Sequence, residues 1–197
     1  MKIKKRNHFA QLINKKGYKV GVEIGVFRGG FSNYLLTAST LTKLYSIDPW
    51  SNMDGSANLW LAKKCRRKLK QYGNRSVIIK ATSIDAVKTF KDESIDFIYI
   101  DGDHSYIATT NDIVNWLPKI KIGGCMSGHD YRNTGRGMSM AYYGEGVINN
   151  SRCGVKLAVD RFIKKYKYKL NTFKSMSGHG WWFIKDKEFI YPPIPTI

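Results

Sequence analysis

A chain of 197 residues is long enough to fold as one domain with a core on both faces of a sheet, and too short for two comfortable ones. With 43% hydrophobic residues and no apolar run near the roughly 20 residues that a bilayer span needs, it reads as globular and excludes a transmembrane helix. Its 33 Lys and Arg against 15 Asp and Glu leave a net charge of +18, which attracts polyanions and bears on association rather than on fold.

The N-terminus, MKIKKRNHFAQLINKK, is basic with no apolar stretch behind it; it does not resemble a secretory signal, and a cytoplasmic location is expected. Short β-branched runs then alternate with helical periods. Strands are expected at Lys19–Ile24, Leu44–Asp48, Ser76–Lys80, Ile95–Asp101 and Ile122–Gly128, and helices at Phe31–Ser39, Ala57–Tyr72 and Ile107–Leu117, the last with Trp116 facing inward. Ser32 or the glycines before it can open the first helix, and Pro118 with Gly123-Gly124 closes the third. This β-α-β-α order predicts a parallel sheet in an α/β domain spanning residues 1–197. Residues 131–154, rich in Gly, Asn and Ser without a clear period, read as a lid or substrate loop. A helix at Val155–Tyr166 and a terminal antiparallel hairpin, Lys169–Phe173 with Gly180–Ile184, complete the chain. Cys65, Cys125 and Cys153 lack paired spacing and read as reduced, structural thiols.

Carboxylates are scarce, yet Glu23, Asp48, Asp101, Asp103 and Asp130 all fall at the ends of expected strands. In GVEIGVFRGGFS an acidic residue ends the first strand, and Gly25, Gly29 and Gly30 precede a helix whose N-terminal N–H groups are free for a ligand. That spacing also suits a dinucleotide fold or a plain strand-to-helix turn. YSIDPW sharpens it, because Asp48 sits roughly 20 residues after the glycines, where a carboxylate can accept both hydroxyls of a ribose. Thr82 and Ser83 follow the third strand at a position that would border an adenine ring, although Ser83 could equally be a helix N-cap.

The runs IDFIYIDGDHSY and WLPKIKIGGCMSGHDY resemble a family of small class I S-adenosylmethionine-dependent methyltransferases, related to those that O-methylate sugars and macrolide sugar substituents. The resemblance covers about residues 19 to 131, with a weaker echo in GVKLAVDRF. It implies a Rossmann-like, doubly wound sheet of seven strands in the order 3-2-1-4-5-7-6, mostly parallel with one antiparallel strand. It also implies that Glu23 and Gly25, with Gly29 in the same loop, approach the methionine part of the cofactor, that Asp48 takes the ribose, and that Ser83 borders the adenine.

DGDHSY concentrates Asp101, Asp103, His104 and Tyr106 where the fourth strand ends, and GHDY puts His129 and Asp130 at the end of its neighbour. Asp101 is read both as a cofactor contact and, with His129 and Asp130, as a ligand to a divalent cation, magnesium first and manganese second. The bland alternative is that Asp101 and Asp130 cap the following segments and that His104 is a hydrogen-bonded wall. Relatives that use a metal usually carry a carboxylate where His129 stands, and their general base lies three residues past the metal-binding aspartate, at His104. His179 could also line the site, and His8 reads as surface. The expected activity is O-methylation of a hydroxyl on a glycan or polyhydroxylated small molecule; a homo-oligomer is compatible with it. A nucleic-acid-binding or nucleic-acid-modifying protein is the rival, with KKCRRKLKQY and IKKYKYK as basic patches. An NAD-linked oxidoreductase is disfavoured by the absence of G-x-G-x-x-G and of Tyr-x-x-x-Lys.

Overall fold

The computed structural model describes residues 2–51, 56–132, 141–143, 146–148, 154–175 and 178–189. In chain order the main elements are α1 His8–Lys16, β1 Val20–Ile24, α2 Gly30–Ala38, β2 Lys43–Ile47, α3 Leu59–Leu69, β3 Ser76–Ile79, α4 Ser83–Ala86, β4 Ile95–Ile100, α5 Tyr106–Trp116 and β5 Ile120–His129. They are followed by β6 Ala141–Tyr143, β7 Gly146–Ile148, α6 Val155–Tyr166, β8 Asn171–Ser175 and β9 Gly178–Ile184. Seven strands form one sheet in the order β3-β2-β1-β4-β5-β9-β8. β1 to β5 run parallel, and β9 is antiparallel to both β5 and β8. With β8 and β9 counted as the sixth and seventh strands, this is the expected 3-2-1-4-5-7-6 order.

The middle strand shows why the sheet is covered on both faces. β4, IDFIYI, is buried at all six positions, and successive side chains of a strand point to opposite sides. Phe97 and Tyr99 enter the core with Phe9, Ile13, Leu35 and Leu36 of α1 and α2, whereas Ile98 and Ile100 enter the other with Ile113, Trp116 and Phe162 of α5 and α6. Trp116 is fully buried, as its position on the helical face predicts.

Several boundaries differ from the sequence expectation. The segment before residue 19 carries a helix, α1, which ends on Gly17 in the left-handed region and packs Phe9 against Phe97 at 5.5 Å between ring centres. α2 opens at Gly30 with Gly29 as N-cap, and Ser32 lies inside it. The long third helix stops at Leu69 and tightens into a 3-10 turn over Lys70–Arg75, because Gly73 leaves helical backbone there at φ 52° and ψ −131°. β5 starts at Ile120 and runs through Gly123-Gly124, so those glycines lie in a strand and do not terminate a helix. Within the expected loop 131–154, β6 and β7 pair as a short antiparallel hairpin, and most of the remainder lies outside the described residues. Cys65 and Cys125 are buried and free, while Cys153 lies outside the described residues. Among the described residues no helix is long and apolar enough to cross a membrane.

Two features of β1 position everything beyond it. Gly25 has φ +83°, and a Cβ there would lie 2.1 Å from the carbonyl oxygen of Asp101. The chain ends of β1 and β4 can approach this closely because residue 25 has no side chain. Gly25→Ala is therefore expected to destabilise the protein by about 2–4 kcal/mol in chemical denaturation, combining a left-handed backbone with backbone overlap. Gly30→Ala, whose Cβ meets nothing within 4 Å, should stay within about 0.5 kcal/mol of wild type. Equal effects of the two would refute the packing account.

Glu23, 2% exposed, accepts a hydrogen bond from Ser32 Oγ, which lies 2.8 Å from Ser46 Oγ, so one carboxyl joins β1, α2 and β2. Burial pushes its pKa up to about 8, reinforced by Asp101 and Asp48 and opposed by the Ser32 hydrogen bond and by Arg6. A carboxyl with a raised folded pKa contributes its full stability below the unfolded value of 4.5 and loses it as pH rises through about 8. The melting temperature of the wild type should fall across that window, and that of Glu23→Gln, which stays neutral, should fall less. Parallel curves would show that Glu23 does not titrate in this way.

Candidate functional site

The C-terminal ends of β1, β2 and β4 open into a cavity of about 790 Å³, a size suited to a nucleoside-containing ligand. Gly25, Asp48, Ser83 and Asp101 all line it. Glu23 and Gly29 do not appear in that lining: Glu23 lies beneath it in the core, and Gly29, at φ +71°, brings its backbone against Cys65 and Leu69 of α3.

Asp48 organises the loops around this cavity. Its Oδ2 accepts from the Phe27 N–H at 2.8 Å and its Oδ1 from the Trp50 N–H at 2.7 Å, while Trp50 Nε1 donates to the Phe27 carbonyl at 2.8 Å. Phe27 and Trp50 are non-glycine residues with positive φ, 53° and 44°, a conformation that the aspartate's two hydrogen bonds help to hold. Each carboxylate oxygen keeps a further lone pair, so an oriented acceptor remains for a diol.

On the wall formed by the β3–α4 turn and α5, Ser83 does not act as the N-cap. Thr82 does so, accepting from the Asp85 N–H at 3.3 Å. The Ser83 hydroxyl instead donates to Asp112 Oδ1 and accepts from Trp116 Nε1 at 2.8 Å. Burial pushes the pKa of Asp112 up to about 6, with the Ser83 hydrogen bond opposing and the charge of Asp103 adding. The sequence reading missed Asp112, because a lone aspartate inside a helix carries no signal until α5 is laid against α4.

The second cluster lies where β4 and β5 end, and Asp101 belongs to both. His104 Nε2 is 3.3 Å from Asp101 Oδ1 and its Nδ1 is 3.4 Å from Asp130 Oδ2. The hydrogen bond to Asp101 leads in raising the His104 pKa above its ordinary value; burial opposes it, and the charges of Asp101, Asp130 and Asp103 add to the rise. His129 Nδ1 lies 3.6 Å from Asp101 Oδ1 and 3.3 Å from Asp130 Oδ1. Asp130 has φ 52°, a further left-handed non-glycine at the site. Asp103 is exposed and accepts from the Ser105 N–H at 2.8 Å, which leaves it outside the cluster. Tyr106 opens α5 and pairs its hydroxyl with Arg161 at 3.2 Å. His179 lies on β9, where its carbonyl accepts from the Tyr131 N–H at 3.3 Å, and His8 is partly buried at the start of α1.

Two arginines were not foreseen. Arg6 Nη1 is 3.5 Å from Asp101 Oδ2, and Arg132 Nε is 3.3 Å from Asp130 Oδ1. Arg6 also lies over the Phe31 ring at 5.0 Å. These contacts bear on the expected cation. The His104 ring stands between the two carboxylates, each carboxylate faces a guanidinium, and among the described residues no group of three or more His, Cys, Asp or Glu is disposed to hold a metal ion. As arranged, Asp101, His129 and Asp130 do not fit a resident magnesium or manganese, because their negative charge is already matched by protein cations. The basic run of α3 lines a separate groove, with Trp60, Lys63, Lys64, Arg66, Arg67 and Lys70, that shares no residue with the cavity lining.

The family described as a methyltransferase domain matches residues 22–131, more than half of the chain. An uncharacterised protein of Acanthamoeba polyphaga mimivirus, R132, is 32% identical over 116 residues, which are 57% of this chain and 51% of that relative, so the chain spans about half of its length. Among solved structures, a Staphylococcus aureus protein assigned as a caffeoyl-CoA O-methyltransferase superposes with a TM-score of 0.66 at 18% identity, covering 93% of this chain and 85% of its own. The O-methyltransferase of Bacillus cereus, solved with S-adenosylhomocysteine, gives 0.63 at 13% identity over 91% and 80%. These two show a shared fold. With the family match across β1 to β5 and the cavity at the end of those strands, the chain belongs to the methyltransferase-domain family.

Proposed function

We propose that the chain transfers the cofactor's methyl group to a hydroxyl oxygen of a glycan or related polyhydroxylated small molecule, with His104 as general base. The observation that carries this reading is that Asp101 both lines the cofactor cavity and holds His104, so a base stands beside the place where the cofactor ends. Asp48 would take the ribose hydroxyls. The Bacillus cereus neighbour, an O-methyltransferase bound to S-adenosylhomocysteine, supports the choice of acceptor atom. A polyhydroxylated acceptor suits the mixture of donors and acceptors that Asp130, His129 and Arg132 present beside the base. The basic α3 groove shares no residue with the cavity lining, which favours a small-molecule acceptor over a nucleic acid.

Methyl transfer is an in-line displacement. The acceptor oxygen attacks the methyl carbon, the carbon–sulfur bond breaks with its electron pair going to sulfur, and the sulfonium becomes a neutral thioether. The hydroxyl proton must leave. Both ring nitrogens of His104 face carboxylates, so in the neutral ring one keeps its proton for Asp101 or Asp130, which orients the ring, and the acceptor hydroxyl must displace the other carboxylate contact to give its proton to the second nitrogen. Asp101 and Asp130 then stabilise the imidazolium that forms, while Arg6 and Arg132 neutralise the carboxylates. No step requires a cation.

Replacing Asp48 by Ala should weaken binding of S-adenosylhomocysteine by about 1.5–3 kcal/mol in calorimetry, whereas Asp48→Asn, which keeps one acceptor for a loop N–H, should lose less. Wild-type affinity in the Ala variant would remove the ribose assignment. For the chemistry, His104→Ala should lower the methylation rate by roughly 10²–10⁴-fold with cofactor affinity little changed. The wild-type rate should rise with pH as the imidazolium, with its raised pKa, loses its proton. Turnover should persist in EDTA. Loss of turnover in EDTA, restored by magnesium or manganese, would return Asp101, His129 and Asp130 to the role of metal ligands, and a fully active His104→Ala enzyme would place the base elsewhere.

A further inference from the structure

The outward face of α3 concentrates positive charge around one exposed indole. We propose that this face is a docking surface for single-stranded nucleic acid, a binding function separate from the cavity and independent of the acceptor proposed above.

α3 turns Ala62, Cys65 and Leu69 into the core, and Trp60, Lys63, Lys64, Arg66, Arg67 and Lys70 line a groove of about 610 Å³ outside it. From Ala57 to Arg75 the sequence has no Asp or Glu. Among the described residues none of these five cations stands within ion-pair distance of a carboxylate, whereas surface lysines elsewhere are matched: Lys88 with Asp85, Lys119 with Asp92, Lys121 with Asp96 and Lys156 with Asp160. Lys63 and Arg67, like Arg66 and Lys70, are four residues apart on one helix, where like charges repel. The helix dipole favours cations in the last turn, which accounts for Arg66 and Arg67 but not for Lys63 and Lys64 in the middle. A polyanion removes the repulsion.

Trp60 decides which polyanion. It is 53% exposed, with Lys64 Nζ 3.8 Å and Arg28 Cζ 4.9 Å from its ring centre. Arg28 also lies 4.7 Å from the ring of Phe27, which is 55% exposed. Cations are thus held beside exposed rings, the combination that takes an unstacked base on the aromatic surface and its phosphates on the charges. A duplex keeps its bases stacked and offers phosphates alone. An acidic polysaccharide brings charge without an aromatic ring, and a bilayer is flat where this surface is a groove.

The test is fluorescence anisotropy of a labelled oligouridylate titrated with the chain. With four or five phosphates neutralised, the slope of log K against log salt should be about −3. Replacing Lys63, Arg67 and Lys70 by Gln, at exposed helical positions that Gln suits, should weaken binding tenfold or more and reduce the slope by about 2. Replacing Lys164, Lys165 and Lys169, exposed in and after α6, by Gln removes the same charge and should change affinity less than about threefold. Trp60→Ala should cost about tenfold with the slope little changed, because stacking releases no counterions. Circular dichroism checks that each variant is folded. Equal losses from the two triple variants would reduce the effect to the net charge and overturn the proposal. So would wild-type affinity in a folded Trp60→Ala protein, no binding of the oligouridylate, or equal affinity for a duplex, for polygalacturonate or for phosphatidylserine vesicles.

Discussion

The site depends on one close approach, that of the β1 end at Gly25 to the β4 end at Asp101. The Asp101 N–H donates to the Ile24 carbonyl at 2.8 Å, and the Gly25 N–H donates to the Ile47 carbonyl at 2.9 Å, so the ends of β2, β1 and β4 are joined in sequence. The Asp101 carbonyl then rests where a Cβ of residue 25 would be. This contact sets how far apart Asp48 and Asp101 stand, since each follows directly on one of the joined strands. It also explains why the glycine matters before any ligand arrives: the residue makes room for protein backbone, and the cavity forms beside that contact.

Charge is the second organising feature. In a chain with +18 net charge, acidic groups are few, and the ones at the site are each surrounded by something that decides their state. Glu23 is buried and driven toward its neutral form, Asp48 is tied to two backbone N–H groups, and Asp112 accepts a hydrogen bond from the Ser83 hydroxyl. Asp101 and Asp130 share His104 between them and each meet an arginine. A pair of carboxylates this close needs positive charge from some source. Here Arg6 comes from the segment before α1, and Arg132 from just beyond β5, so the compensation is supplied by parts of the chain far apart in sequence.

Three of the five non-glycine residues with positive φ among the described residues follow the same geography, Glu93 and Lys167 lying elsewhere. Phe27, Trp50 and Asp130 hold left-handed backbone without being glycine, and all three lie at strand-to-loop exits around the cavity and the histidine cluster. Phe27 and Trp50 are held by a single carboxylate, that of Asp48. One side chain that is expected to grip a ligand thus also shapes the two loops that would enclose it, which is preorganisation in a literal sense.

The linear order of apolar runs determined the α/β alternation, the parallel strands and the placing of Asp48, Ser83, Asp101, His104 and Asp130 at strand ends, because hydrophobic period and strand-end position are local properties. The resemblance carried by DGDHSY and GHDY determined the strand order and the cofactor. Other features were decided in three dimensions. α1 was not foreseen in a short basic segment, since its apolar face has meaning only against Phe97 and Tyr99. Gly29 and Glu23 look like ligand contacts in the motif, but one faces α3 and the other lies in the core. The partners of Asp101 and Asp112 were invisible because an ion pair or a hydroxyl relay between residues 95 or 29 positions apart leaves no periodic trace in sequence and forms only when the sheet has brought those positions together, while the Arg132–Asp130 pair, two residues apart, depends on the left-handed turn at Asp130.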